Sequence, residues 1–427
     1  SVLAQTLEMP LDVVARAELE SGGFGAEHGG RVSSVLTIES DPGDGTFGVD
    51  AGVSLLSSRI AVSDGFADGR VRWKVSGRRS YFDVLFAPVF EFPYALNDLQ
   101  GILEWRTGER SRLRVSAYTG NDDLNFSEVD EDTFPLRIDW NWGNDLVGLS
   151  WQRLFDRGEF EVRASTTRFD TGLSFPDFGD TDFRSEIGQR SLAADGVWRP
   201  TSALELSTGV QFDDLDYDNL ASSGGTVFGR GIGEGRLLGS YASATWRRPA
   251  EWIVEAGVRL DRFTPDPGET ITEVSPRLAV KRFFGDGTWA VKGALGRYTQ
   301  FMHSLRDEEL PIGLDVWVLS GDRAPHVVSD QVQLGVELSP DGPWTASAEA
   351  YWREFDGVVT FNNGDDPNTD LDDILPGTGL SRGVDLFLRR NEGTVTGWLS
   401  LSWLKADRTF PDFLSPELPI PEVTYPP

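Results

Sequence analysis

The chain alternates apolar and polar residues with a period of two, many times over, and the polar side carries charge along whole segments. Phe160, Val162, Ala164 and Thr166 share one side of their segment, while Glu159, Glu161, Arg163, Ser165 and Thr167 share the other. Leu204, Leu206, Thr208, Val210 and Phe212 stand opposite Glu205, Ser207, Gly209, Gln211 and Asp213. Val332, Leu334, Val336 and Leu338 alternate with Gln331, Gln333, Gly335 and Glu337. Successive side chains of a strand point to opposite faces of the sheet, so each set occupies its own face. About seventeen such strands can be counted between residues 45 and 405.

The connections alternate between short and long. Turn chemistry occurs at Ala67–Gly69, Thr107–Arg110, Asp156–Gly158, Arg199–Ser202, Arg248–Glu251, Gly285–Gly287, Ser339–Pro343 and Arg390–Gly393. Between them the polar stretches Asn121–Asn144, Asp170–Gly188, Asp214–Glu234, Phe301–His326 and Gly357–Gly377 read as long loops. Short turns at one rim and long loops at the other are the pattern of an outer-membrane barrel. Trp198, Trp246, Trp252, Phe284, Trp289 and Trp344 lie beside the short turns, and Trp352 follows Trp344 eight residues later on the same face. At about 3.3 Å per residue and a tilt near 40°, that separation covers roughly 20 Å of membrane normal, close to the ~25 Å apolar band between aromatic girdles. The fold expected is therefore all-β, a transmembrane antiparallel β-barrel, with outer-membrane lipid as its surroundings. A soluble β protein with ordinary core tryptophans explains neither the loop asymmetry nor the charged second face.

Composition closes off other classes. No stretch approaches the roughly 18–20 consecutive apolar residues of a membrane helix. The 427 residues include no cysteine, which rules out disulfides, thiolate zinc sites and cysteine catalysis. A formal net charge of −29 disfavours nucleic acid as a partner. Signatures of hydrolases, zinc proteases and phosphate loops are missing, so no catalytic residue is assigned and an enzyme is not expected. The glycine-rich Gly229–Gly233 precedes a strand, and a flexible loop is expected there.

The first 43 residues differ from the rest. Gly22-Gly23-Phe24-Gly25-Ala26-Glu27-His28-Gly29-Gly30-Arg31, followed by Val32-Ser33-Ser34-Val35-Leu36-Thr37-Ile38, resembles the end of the plug of a TonB-dependent outer-membrane receptor, in its Bacteroidetes-like branch. Arg78-Arg79-Ser80-Tyr81, Ser275-Pro276-Arg277-Leu278-Ala279, Gly296-Arg297-Tyr298-Thr299-Gln300, Glu349-Ala350-Tyr351-Trp352 and Gly383–Arg390 are similar to that branch too. The resemblance implies residues 1–43 as the C-terminal end of a plug and 44–427 as a barrel. It gives Gly22, Gly23, Phe24, Glu27, Gly29, Gly30 and Arg31 as the plug motif. Barrels of this family have about 22 strands, so the closing strands are expected to be missing and the chain to be part of a longer protein. The resemblance further implies uptake of a scarce nutrient (a siderophore, vitamin, oligosaccharide or peptide) and a TonB-type energy-coupling partner acting on a plug segment outside this sequence, with a surface lipoprotein as a further candidate partner. The alternative is a structural or interaction barrel, or a passive porin.

Three residue groups are candidates for more specific chemistry. The acidic runs Asp122–Asp132, Asp213–Asp218 and Asp365, Asp366, Asp370, Asp372 and Asp373 supply oxygen ligands, the last being the best candidate for a loop-bound Ca²⁺, although none has an EF-hand spacing. Otherwise no cofactor is expected. His303 and His326 share one long loop and could coordinate a metal, or be unrelated loop histidines. Arg163, Lys292, Glu337, Glu349 and Arg353 fall on the charged face and are expected to form a salt-bridged wall against the plug or to line a ligand path.

Overall fold

The computed structural model describes residues 14–81, 93–128, 137–305, 315–340, 342–362, 373–411 and 423–425. Two short strands come first, β1 (Val14–Glu20) and β2 (Val35–Ser40). Thirteen strands of the main sheet follow: β3 (Gly48–Val53), β4 (Ser57–Phe66), β5 (Val71–Ser80), β6 (Tyr94–Gly108), β7 (Ser111–Asn125), β8 (Asp139–Phe155), β9 (Gly158–Phe175), β10 (Thr181–Thr201), β11 (Leu204–Ser223), β12 (Thr226–Arg248), β13 (Trp252–Asp266), β14 (Ile271–Phe284) and β15 (Trp289–Gln300). A hairpin, β16 (Met302–Leu305) and β17 (Val316–Leu319), interrupts it. The main sheet resumes with β18 (Val327–Leu338), β19 (Trp344–Phe361), β20 (Ile374–Arg390), β21 (Gly397–Phe410) and β22 (Val423–Tyr425).

Strands β3–β15 and β18–β22 form one closed antiparallel barrel, each hydrogen-bonded to its neighbours in chain order. The seventeen strands before β22 correspond one to one with those legible in the sequence. The expected gap where closing strands are missing is bridged by β22, which stands between β21 and β3. Its ladder with β21 is three residues long, Arg408–Phe410 against Val423–Tyr425. The coiling of a twisted sheet brings its ends together with fewer strands than the 22 expected. From Gly397 to Lys405, β21 is exposed on both faces.

The alternation sorts side chains between two environments. Val258 and Leu260 are 46% and 45% exposed on the outside of β13, while Arg259, Asp261 and Phe263 between them are at most 1% exposed. Leu192, Val210, Leu238, Val274, Leu295, Val332 and Leu334 continue the outer belt round the ring. Among the described residues these apolar faces meet neither a second sheet nor a helix layer. In water such a belt would be a severe aggregation liability, whereas in a bilayer it is the lipid contact. Trp198, Trp246, Trp289, Trp344 and Trp352 are 39–56% exposed on that surface. Among the described residues no helix is long and apolar enough to cross a membrane, which leaves strands free to do so.

Two loops expected from the sequence are strands. Asp170–Gly188 is mostly the upper ends of β9 and β10, and Asp214–Glu234 is a hairpin whose turn is Gly224–Gly225. Gly229–Gly233 is likewise part of β12, not a flexible loop. β10, β11 and β12 have 21, 20 and 23 residues, about twice the ~9–11 needed to span a bilayer. Their upper halves stand above the apolar belt, and there charged residues such as Glu186, Asp214, Asp216 and Glu234 face outward, with Ile232 among them. The polarity that suggested loops is the absence of lipid at that height. At the opposite rim the turns are short as expected, with Ala67 and Asp68 both at positive φ, the conformation of a tight hairpin turn.

Candidate functional site

Residues 14–43 lie inside the ring, and the wall side chains that touch them belong to the inward-facing set. Phe24 is fully buried, with its ring 4.4 Å from that of Tyr298. The guanidinium of Arg277 stacks 5.0 Å from Phe24 and 4.4 Å from Tyr298, and donates to the backbone carbonyls of Phe24 and Gly25. Arg259, ion-paired with Asp261 at 2.8 Å, donates to the carbonyl of Glu27 at 3.2 Å. Arg353 donates to Ser21 O and Gln331 to Val32 O. The loop has almost no regular hydrogen bonding of its own, so these side chains supply the partners its buried carbonyls require. Gly23 has φ of +67°, and a Cβ at Gly29 would collide with the Arg259 guanidinium, so two motif glycines have a direct conformational or steric reason.

The lower part of the segment is tied to the opposite wall. Lys74 meets Asp41 at 2.7 Å, which holds the Asp41 carboxyl below its ordinary value. Arg114 meets Glu39 at 3.1 Å, and Gln100 donates to Ser40 Oγ at 3.0 Å. Glu104, buried on β6, gathers Arg72 and Arg114 beneath these contacts. The segment thus spans the lumen from the β13–β19 wall to the β5–β7 wall. The expected inner charges are paired: Arg163 with Asp195 at 2.6 Å, Lys292 with Glu349 at 2.5 Å and with Glu337 at 3.4 Å.

A cavity of about 370 Å³ remains between the loop and the β9–β12 wall. Its floor is Glu27–Arg31, its wall includes Arg163, Gln189, Gln211 and Asp213, and its upper edge is Phe301 and Met302. Asp213 was expected in an acidic loop. It is instead buried on the inner face of β11 and accepts from Ser191 at 2.5 Å and Gln211 at 2.8 Å. Arg31 extends into the lumen, donating to Gly30 O at 2.7 Å, and its side chain remains exposed.

Above the cavity the β16–β17 hairpin folds into the mouth of the barrel. Trp317 N donates to Ser185 Oγ of the far wall at 3.2 Å, and Trp317 O accepts from Asn219 Nδ2 at 2.7 Å. Phe301 and Leu319 pack with Leu215, Leu237 and Phe263, and Leu305 and Val318 pack with Ala324 and Ile374. The described parts of the stretch expected to be a long polar loop are therefore a hairpin over the cavity with its own apolar packing. Val316, Trp317, Val318 and Leu319 are all apolar, so the sequence there carries no alternation that would mark a strand.

The two histidines of that stretch have separate partners. His303 is buried against Ser320 Oγ at 3.0 Å, and burial with His326 nearby pushes its pKa down to about 4. His326 meets Glu273 at 3.0 Å. Among the described residues no group of three or more histidines and carboxylates could hold a metal ion. The Asp365, Asp366, Asp370 and Asp372 candidates for Ca²⁺ lie outside the described residues, as do Asp130–Asp132. Asp373 gives its backbone carbonyl to Asn362 N at 2.9 Å.

A closed barrel with an apolar outside, a polar lumen and a chain segment lying in it has the architecture of an outer-membrane β-barrel. The family model for the TonB-dependent receptor-like β-barrel matches residues 59–425, and the chain belongs to that family. No curated protein matches it in sequence. Among solved structures it is similar to the alcaligin outer-membrane receptor FauA of Bordetella pertussis, with 13% identity and a TM-score of 0.65 over 94% of this chain and 72% of that one. The ferripyoverdine receptor of Pseudomonas aeruginosa, also 13% identical, gives a TM-score of 0.66 over 94% of this chain and 64% of that one. The FrpB iron transporter of Neisseria meningitidis, 11% identical, gives 0.70 over 93% and 73%. At these identities the likeness is one of fold. The family's members are receptors and transporters of the Gram-negative outer membrane.

Proposed function

We propose that this chain is the barrel and last plug segment of an outer-membrane receptor that takes up a scarce nutrient, driven by a TonB-type energy-coupling protein. The filled lumen carries this reading. Residues 21–43 occupy the interior, gripped at backbone carbonyls by Arg259, Arg277 and Arg353. A passive porin needs that space open. Side-chain grips on backbone are also what a removable filling requires, because each contributes only about 1–3 kcal/mol and can break in turn. The Gly22–Arg31 run supports the plug assignment and, within the family, the Bacteroidetes-like branch.

The ligand class best supported is a polar chelate or oligomer with many hydrogen-bonding groups. The cavity beneath the hairpin offers Arg31, Arg163 and Gln189, and an apolar edge at Phe301 and Met302. Two of the similar structures are receptors for alcaligin and ferripyoverdine, which suggests ferric siderophores as the first ligands to try. The test uses the full-length protein in cells stripped of their own siderophore receptors. Radio-iron from a panel of ferric siderophores should accumulate in energised cells and stop when an uncoupler is added. Uncoupler-insensitive uptake, or steady conductance of the purified protein in planar bilayers, would favour the porin reading instead.

A further inference from the structure

Outward-facing residues on β10, β12 and β13, three of four consecutive strands of the ring, change character at one height. From the short-turn rim upward, β10 presents Trp198, Gly196, Ala194, Leu192 and then Arg190. β12 presents Trp246, Ala244, Ala242, Ser240, Leu238 and Arg236, and β13 presents Trp252, Val254, Ala256, Val258, Leu260 and Arg262. Arg190 lies eight residues above its tryptophan, and Arg236 and Arg262 lie ten above theirs. At about 3.3 Å per residue and a tilt near 40°, these separations are roughly 20–25 Å along the membrane normal, the height of the apolar band. The three guanidiniums therefore stand where hydrocarbon gives way to headgroups. Leu192, Phe212, Leu238 and Leu260, 42–54% exposed, lie immediately beneath them.

The positive charge here is not matched one for one. Arg190 and Arg236 share a single carboxylate, Asp214, each at 3.5 Å, and are 73% and 70% exposed. Arg262 is exposed beside Leu238 and Thr272, with no carboxylate in ion-pair range among the described residues. At similar height elsewhere the pairing is tight: Arg168 with Glu186 at 2.5 Å, Arg297 with Asp330 at 2.7 Å. In a chain of net charge −29 a local excess of arginine is no by-product of composition. Asp216 and Glu234 face outward two residues higher, directly above Asp214 and Arg236. They repel a free anion coming from solution and leave the approach from the membrane side open.

We propose that Arg190, Arg236 and Arg262 bind the phosphate of a phosphorylated outer-leaflet lipid, whose acyl chains lie along Leu192, Phe212, Leu238 and Leu260. Guanidinium forks match phosphate oxygens, and basic side chains at the headgroup level gain from anionic lipid. The test is native mass spectrometry of the full-length protein in detergent with bisphosphorylated lipid A. The triple variant Arg190→Gln, Arg236→Gln, Arg262→Gln should bind the lipid on the order of a hundredfold more weakly. Arg297→Gln should retain as much as the parent. Heat-modifiable migration on gels checks that each variant is a folded barrel. Equal retention by the triple variant, an equal loss with Arg297→Gln, equal binding of dephosphorylated lipid A, or displacement by inorganic phosphate alone would each overturn the proposal.

Discussion

Long side chains rooted in the wall do at residue level what secondary structure does elsewhere. Arg277 is the clearest case, with its guanidinium held between two aromatic rings and bonded to two carbonyls of the inner loop. Arg277→Ala removes the cation–π contacts and leaves buried acceptors without donors, a local cost of about 2–4 kcal/mol. The chain has no cysteine, so a single Ala26→Cys thiol reports on the loop cleanly. At 1% exposure Ala26 is shielded, and maleimide labelling there should accelerate on the order of thirtyfold when Arg277 is truncated. An unchanged labelling rate would mean that Arg277 does not hold the loop. His303 gives a second prediction, this time in pH. Its pKa of about 4 in the packed hairpin lies below the ordinary ~6.5, so the released hairpin binds a proton that the packed one refuses. Packing stability is full above pH 6.5, falls as pH drops from 6.5 toward 4, and has lost roughly 3 kcal/mol by then. Hydrogen-exchange protection of β16 and β17, corrected for intrinsic rates, should decline across that window, and His303→Gln should flatten the decline.

The hairpin and the inner loop are the two elements that convert an open ring into a closed compartment. Replacing Met302–Leu319 by a short Gly-Ser linker removes the cover over the cavity and exposes Leu215, Leu237 and Phe263. Conductance in planar bilayers should rise from near zero to brief openings, and the Ala26→Cys thiol should become reachable from the outer side. No change in either measurement would show that the hairpin is not the barrier. The barrel strands were readable because lipid imposes apolar residues on every second position, and Val332–Leu338 or Trp344–Trp352 repeat that constraint over long runs. Outside the lipid the constraint lapses. Asp214–Glu234 continues as strand with Asp216 and Asp218 facing water, and its sequence is indistinguishable from a loop. The hairpin was illegible for a different reason: its packing partners, Leu215 and Ile374, lie far away in sequence. Phe24 and the motif glycines could be named in advance from the resemblance, whereas Arg259, Arg277 and Gln331 could be recognised as their partners only once the strands had been brought into register.

At the scale of the whole molecule, the same sheet is stabilised from its two sides by opposite chemistry. The lumen holds buried ion pairs, such as Arg259 with Asp261 and Glu104 with its arginines, among other polar wall side chains and the inner segment. Among the described residues the outside holds none until the edge of the apolar band. A charge moved across the wall by one residue should therefore have a depth-dependent cost. Leu334 is 62% exposed and lies four residues above Leu338 on β18, about 10 Å up a band of ~25 Å, near its middle. Leu334→Arg should destabilise the barrel by about 2–4 kcal/mol, and Leu338→Arg at the rim by about 0–1 kcal/mol. The neighbouring lumen-facing change Gln333→Arg places its charge in the polar interior and should cost less than the midplane substitution. Reversible guanidinium unfolding in lipid vesicles, followed by tryptophan fluorescence, measures all three. If Leu334→Arg and Leu338→Arg cost the same, the outer face is not in hydrocarbon, and the membrane placement of the whole ring would have to be abandoned.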